Sequence, residues 1–279
     1  MNNMISIICR CFNVNKYINK CIQSILNQSY QNFEIVCVND CSTDDTLDLL
    51  QKYKDGRIKI ISHNKNSGIG YASITGINNC NGDWISFVDP DDWIEKDFLY
   101  NLLNCAINTN SDVVGCSTLH YDDNYNILTK YNWTYDSETS YYNNDKREYD
   151  KHGLTFNNKL IKSCLFNNIT FTPYKLYEDN CNMAKIMFKA NKYTVIPYKG
   201  YNYLHRNNSL TSKGDNIIYR LLVYKDWLEY SQAENWLNFL NINYNILQSY
   251  KIYFNINKNK IQKEYPWEYN ELLNFCKLC

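Results

Sequence analysis

Apolar residues in the first 120 positions switch repeatedly between two periods. Ile5 to Arg10 is a short, almost unbroken apolar run that stops at Phe12-Asn13, as a buried strand does. Tyr17, Ile18, Cys21, Ile22, Ile25 and Leu26 then share one helical face. Phe33 to Asn39 predicts a second strand, and Thr46 to Tyr53 a helix with Leu47, Leu50 and Tyr53 along its stripe. A third strand follows at Arg57 to Ser62, a helix at Ile69 to Asn79, and a fourth strand at Asp83 to Val88. Phe98, Leu99, Leu102, Leu103 and Ala106 predict another helix, and Asp112 to Leu119 another strand. Strand and helix in alternation, with short connections and continuously apolar strands, predict an α/β fold with a mostly parallel, Rossmann-like sheet covered on both faces.

Beyond this block the pattern loosens. Tyr121 to about Lys151 is rich in Tyr, Asn and Asp and predicts a hairpin or long loop. Asp179 to Ala190 is helical in period, and Tyr193 to Tyr198 and Tyr201 to His205 read as two strands. After about Asp215 the spacing of Ile217, Ile218, Leu221, Leu222 and Leu228 predicts helix, so the expected division is a sheet domain over 1–214 and a helical C-terminal extension over 215–279.

Composition narrows the function classes. With 29 basic and 29 acidic residues the formal charge is zero, which disfavours nucleic-acid binding by bulk positive potential and a polybasic membrane anchor. No stretch approaches the ~18 uninterrupted apolar residues of a membrane span. The first residues lack the pattern of a signal peptide, which sets a cytoplasmic location as the expectation. Of the twelve cysteines, Cys9, Cys37, Cys105 and Cys116 lie in apolar runs and are expected as buried free thiols. Cys276 and Cys279 have no second pair with which to form a zinc site.

In an open parallel sheet, ligands bind beyond the carboxyl ends of the strands. The residues there are Phe12-Asn13, Asp40-Cys41-Ser42, His63 to Asn66, and Asp89-Pro90-Asp91-Asp92. Two acidic clusters on one edge suit a divalent cation, or a nucleoside whose N–H and hydroxyl groups need acceptors. Mg²⁺ or Mn²⁺ takes one or two carboxylates together with phosphate oxygens and water, which Asp89 and Asp91 can supply. Asp92, three residues before Glu95, has the spacing of a capping box, and Ser42 and Asp45 read as caps of the second helix. A P-loop is absent, and Gly68-Ile69-Gly70 follows the third strand and has Ser73 where a dinucleotide fingerprint needs glycine.

These segments together closely resemble the family 2 glycosyltransferases of the GT-A fold. The resemblance lies in Ile5 to Ile8 leading into Cys11-Phe12-Asn13, in Gln23 to Tyr30, and in Glu34 to Asp44. It continues through Asn66-Ser67-Gly68, Gly82 to Trp93, Asn158-Lys159-Leu160, Tyr177-Glu178-Asp179 and Tyr203 to Ser209, covering roughly residues 4 to 212. It implies an inverting transfer from a nucleotide-sugar, with UDP the favoured carrier, to a glycan, protein or lipid hydroxyl. By the same resemblance Asp40 would hold the base or ribose, with Phe12, Asn13 and Asn66 on the nucleotide side. Asp89 would sit near ribose and metal, and Asp91 would bind the Mn²⁺ or Mg²⁺ that bridges the phosphates. Asp179 would be the general base with Glu178 beside it, and Lys159, His205 and Arg206 would lie near the phosphates.

Three departures stand out: Cys41 where Gly is usual, Arg10 where Pro is frequent, and Ser73 where an Arg near the donor is common. They keep open a catalytically silent member that only binds nucleotide or sugar. A nucleotidyltransferase on a similar fold is the further alternative, though Cys11 to Asn15 is not its Gly-rich, Arg-containing loop.

Overall fold

The computed structural model describes residues 3–131, 133–142, 154–173 and 176–206, and beyond these 218–219, 222–223, 225–227, 230, 254–264, 269–270 and 272–273. Strand β1 (Ile5–Cys11) leads through α1 (Ile18–Leu26) to β2 (Phe33–Asn39), then α2 (Thr46–Lys52), β3 (Ile58–Ser62) and α3 (Ile69–Asn78). The chain returns beside β1 as β4 (Trp84–Phe87) and continues as the two-residue β5 (Trp93–Ile94), α4 (Phe98–Thr109) and β6 (Val113–Tyr121). There follow β7 (Thr139–Tyr142), β8 (Lys159–Lys162), α5 (Glu178–Lys189), β9 (Lys192–Leu204) and α6 (Lys258–Glu264).

One sheet holds all nine strands, in the order β3-β2-β1-β4-β8-β6-β9-β5, with β7 paired to β9. Its first half is parallel, as β2 and β4 flank β1 and β3 flanks β2. Strand β8 then runs antiparallel between β4 and β6, and β9 runs parallel to β6. The α/β fold is therefore as predicted, with a mixed second half. Since β6 and β9 point the same way as β1 and β4, the carboxyl ends of all four strands reach one edge.

Alternation along β1 sorts its side chains between two cores. Ile5, Ile7, Cys9 and Cys11 face α1, α4 and Leu50 of α2. Ile8 faces the opposite way, toward Met183, Ala184, Ile186 and Met187 of α5. Gly76 lets α3 cross close over this second face, since a Cβ there would lie 2.5 Å from Cγ2 of Ile8. The expected buried thiols Cys9, Cys37, Cys105 and Cys116 are all free and buried. Among the described residues no helix is long and apolar enough to cross a membrane.

Several expectations need correction. The two expected strands are one, Lys192–Leu204, with register shifts against β6 on either side of Ser117, and His205 lies just past its end. The bulge falls around Pro197, which has no N–H to give the ladder. The hairpin expected after Tyr121 is present, closed by a Tyr121–Ile127 bridge, and residues 143–151 of that segment lie outside the described ones. Residues of the predicted helical extension that are described include α6, and Ile218, Leu222, Phe254, Ile261 and Leu272 pack with Cys181 of α5. Helix α2 is capped by Asp44, whose Oδ1 accepts from the amide and hydroxyl of Thr46, while Asp45 makes no capping bond. Ser42 instead accepts from the Asn13 amide.

Asp92 is no helix cap either. It is buried, accepts from the Tyr201 hydroxyl at 2.7 Å and the Leu204 amide at 2.8 Å, and so fastens β9 to the end of β4. Both donors are buried, so removing their acceptor strands them away from water. Asp92→Ala is expected to cost about 2 kcal/mol in urea unfolding, and Asp92→Asn, which keeps an acceptor for Leu204, distinctly less. A loss below about 0.5 kcal/mol for the alanine variant contradicts this role.

Candidate active site

Four loops meet at the carboxyl edge of β1, β2 and β4, the place where the strand order reverses and a crevice opens. The β1 and β2 loops are laced together. Asn13, in the left-handed region with φ 52°, accepts from the Thr43 amide at 2.8 Å, and its own amide donates to Ser42. Phe12 beside it is 44% exposed, an apolar ring left in solvent at the crevice mouth.

Asp40 is almost fully buried, and both its oxygens are engaged. Oδ1 accepts from the Ser67 amide at 2.8 Å and meets Nδ1 of His63 at 2.6 Å, while Oδ2 accepts from the Gly68 amide at 2.7 Å. Asp40 therefore braces the loop that starts α3. Asn66, in that loop, is exposed and stands apart from these contacts. Cys41 follows with φ 59°, a conformation that costs an L-residue about 1–2 kcal/mol and that glycine adopts freely.

The acidic segment after β4 is held from both sides. Asp89 meets Nη2 of Arg10 at 2.5 Å, and its backbone amide donates to the Tyr201 hydroxyl. The Cys21 thiol donates to its backbone oxygen. Asp91 meets Nη2 of Arg206 at 2.6 Å, and the Arg206 guanidinium lies over the Tyr17 ring. Burial pushes the Asp91 carboxyl up to about 6, with Arg206 pulling down and Asp89 pushing further up. Among the described residues, no group of three or more His, Cys, Asp and Glu side chains is arranged to hold a metal ion. Asp89 and Asp91 offer two hard oxygen ligands, a number that fits Mg²⁺ or Mn²⁺ when phosphate and water complete the shell.

From the opposite side comes the start of α5. Tyr177, with φ 58°, is a bulky residue in the left-handed region, and strain of this kind collects at functional sites. This turn swings Glu178 and Asp179 toward the β1 edge. Glu178 is buried and meets Nη1 of Arg10 at 2.6 Å. Burial and Asp179 raise its pKa, and Arg10 opposes them. Asp179 accepts only the amide of Asn180, at 2.8 Å, and no cationic side chain touches it among the described residues. Burial raises it to about 6, against the pull of Arg10. Among the described residues it is thus the carboxylate without a side-chain partner at an edge where Asp40, Asp89, Asp91, Asp92 and Glu178 each have one.

The expected phosphate-side cations divide. Lys159 is buried beneath the crevice, with Nζ bonded to Asn158 Oδ1 at 2.8 Å and its pKa lowered by burial to about 8. Its ammonium is held by Asn158 within the protein and feels the Asp179 carboxylate nearby. His205 pairs with His120 at 2.8 Å, with its pKa lowered by burial, and Arg206 lies at the rim on Asp91. Sequence patterning marked Arg10 only as a departure and gave no role to Tyr201, because the partners of both lie far away in the chain. The departures at positions 10 and 73 are in contact, Arg10 Nη1 donating to Ser73 Oγ at 3.1 Å.

With this geometry in hand, comparison with known proteins is decisive for the family. The model of glycosyl transferase family 2 matches residues 6–170. The chain belongs to that family. The glycosyltransferase GlyA of Streptococcus pneumoniae serotype 4 is 31% identical over 222 residues, which make up 76% of this chain and 32% of GlyA. The chain thus spans about a third of that relative. GlyG of the same organism is 27% identical over 221 residues, 75% of this chain and 73% of GlyG. The crystal structure of S. aureus TarS 1–349 in complex with UDP-GlcNAc matches with a TM-score of 0.72 at 22% identity, over 95% of this chain and 76% of that one. TarS 1–349 in complex with UDP gives 0.67 at 23%, over 80% and 63%. At those identities the likeness speaks for the GT-A fold.

Cys41 of this family 2 chain occupies a backbone position that glycine suits better. Cys41→Gly is expected to raise stability by about 1 kcal/mol, the relief of left-handed strain less the added freedom of the unfolded chain. A thermal midpoint equal to or below the parent's contradicts that reading.

Proposed function

We propose that the protein transfers a sugar from a nucleoside diphosphate, uridine diphosphate first among them, to an acceptor hydroxyl with inversion at the anomeric carbon. The observation that carries this reading is the state of Asp179: a carboxylate that no side-chain cation touches among the described residues, raised to about 6 and near Asp89 and Arg10. Family membership and the UDP and UDP-GlcNAc complexes of TarS support the choice of donor.

The nucleoside lies on the β1–β2 side, among Phe12, Asn13, the loop braced by Asp40, and Asn66. The diphosphate faces Asp89 and Asp91, with Arg206 and His205 at the rim. Asp91 and Asp89 would hold Mn²⁺ or Mg²⁺, which when bound would supply positive charge to balance the leaving diphosphate. Such a cation and Arg206 are alternatives at the Asp91 carboxylate, since each would satisfy the same oxygens. The acceptor hydroxyl enters from the α5 side and gives its proton to Asp179. Its oxygen forms the new bond to the anomeric carbon as the bond to the departing diphosphate breaks on the opposite face, so one displacement suffices. Glu178 stays engaged with Arg10 and shapes the wall beside the acceptor. The acceptor itself, a glycan, a protein or a lipid, is met by residues at the open end of this crevice.

A base with a pKa near 6 sets the direction of pH dependence. Asp179 works ionised, so turnover is expected to fall as pH drops through about 6 and to level off above it. Asp179→Asn is expected to keep UDP affinity and lose turnover about 10²–10⁴-fold. Turnover within threefold of the parent removes Asp179 from the chemistry. Asp91→Ala is expected to abolish the Mn²⁺-dependent part of UDP binding in calorimetric titration, and equal affinity with and without Mn²⁺ in both proteins would remove the metal from the account. Screening nucleotide-sugars for Mn²⁺-dependent hydrolysis identifies the donor, and binding without any turnover would favour a silent binding protein.

A further inference from the structure

Arg10 belongs to a strand whose other side chains are apolar or small, and a guanidinium there needs a reason. Its direction is fixed by alternation: Cys9 and Cys11 point to the α1 side, so Arg10 points with Ile8 to the side covered by α3 and α5. There its planar fork divides among three elements. Nη2 meets Asp89 after β4 at 2.5 Å, and Nη1 meets Glu178 of α5 at 2.6 Å and Ser73 of α3 at 3.1 Å. The guanidinium carbon lies 5.3 Å from the centroid of the Phe87 ring, which is itself stacked on Phe156. Arg10 is 8% exposed, and its buried Nε has no hydrogen-bond partner among the described residues. A side chain kept at the cost of a buried, unpartnered N–H is held for its charge and its fork rather than for packing.

The neighbourhood says what that charge does. Asp89, Glu178 and Asp179 converge from two sides on a pocket that, on the reading above, admits a doubly charged diphosphate. Lys159, the other buried cation there, has its Nζ bonded to Asn158. Three carboxylates and an incoming anion repel one another unless a fixed positive charge stands between them.

We infer that Arg10 is a positioning residue of the transfer site, a fixed guanidinium that ties the donor-side carboxylate Asp89 to the base-side carboxylate Glu178. This rests on the proposed nucleotide-sugar transfer. A lysine at position 10 reproduces this only in part, because its ammonium lacks the planar fork whose separate Nη2 and Nη1 face Asp89 and Glu178. The contact with Ser73 adds a geometric corollary. Position 73 of α3 thus borders the guanidinium, and the inference extends to an arginine supplied from there in place of Arg10.

The test uses Arg10→Met, Arg10→Lys, Arg10→Ser and the double variant Arg10→Ser with Ser73→Arg. Each is assayed for thermal midpoint, for calorimetric affinity toward UDP with Mn²⁺, and for turnover at saturating donor. Arg10→Met is expected to weaken UDP binding at least about tenfold and to lower turnover about a hundredfold, and Arg10→Lys to recover only part of either. The double variant is expected to regain at least about tenfold in turnover over Arg10→Ser, a rescue that a merely structural role does not produce. If Arg10→Met does not fold, Arg10→Lys and the double variant decide. Arg10→Met or Arg10→Lys within threefold of the parent in both assays overturns the inference, as does a folded double variant no better than Arg10→Ser. A parent protein that binds no UDP defeats the functional reading itself, whereas normal parental binding with unimpaired Arg10 variants defeats the role of Arg10 alone.

Discussion

The structure depends on a problem of charge. Its carboxylates are drawn from separate loops to the edge of an apolar sheet, where water is scarce, and each needs a partner to remain there. Asp40 has two backbone amides and His63, Asp92 has Tyr201 and the Leu204 amide, and Asp91 has Arg206. Asp89 and Glu178 share Arg10. Asp179 is the exception, since among the described residues a helix amide is the single bond it accepts. A group intended to receive a proton has to be left in that condition, close to a positive charge but not spent on it.

The fold supplies this arrangement through ordinary geometry. Two residues along β1 and one turn along α3 cover comparable distances, so the close crossing at Gly76 over Ile8 carries over to Ser73 over Arg10. Left-handed residues do the remaining steering. Asn13 and Cys41 turn the chain at the ends of β1 and β2, and Tyr177 turns it into α5. Three of the segments that bound the crevice thus turn through a left-handed residue.

Much of this was legible in the sequence because strands and helices differ in period, and because strand ends gather at one edge in a parallel sheet. Asp89, Asp91 and Asp179 could be singled out on those grounds together with the family resemblance. Individual partners could not. Arg10 reads as one polar residue in an apolar run, and its partners lie 63, 79 and 168 positions away. Asp92 and Asp45 have the local spacing of caps, but that spacing is blind to a strand arriving from residue 201 and to an Asx-type turn made by the preceding Asp44. The burial of Lys159 depends on β8 threading antiparallel between β4 and β6, a topology that no local period encodes.

The most direct measurement is a crystal structure of the protein with Mn²⁺ and an intact, unreactive UDP-sugar. The account predicts the diphosphate beside Asp89 and Asp91, the anomeric carbon between it and the Asp179 carboxylate, and Arg10 still joining Asp89 to Glu178. A sugar whose anomeric carbon has the diphosphate and Asp179 on the same face, or a nucleotide seated away from the β1–β4 edge, would contradict it.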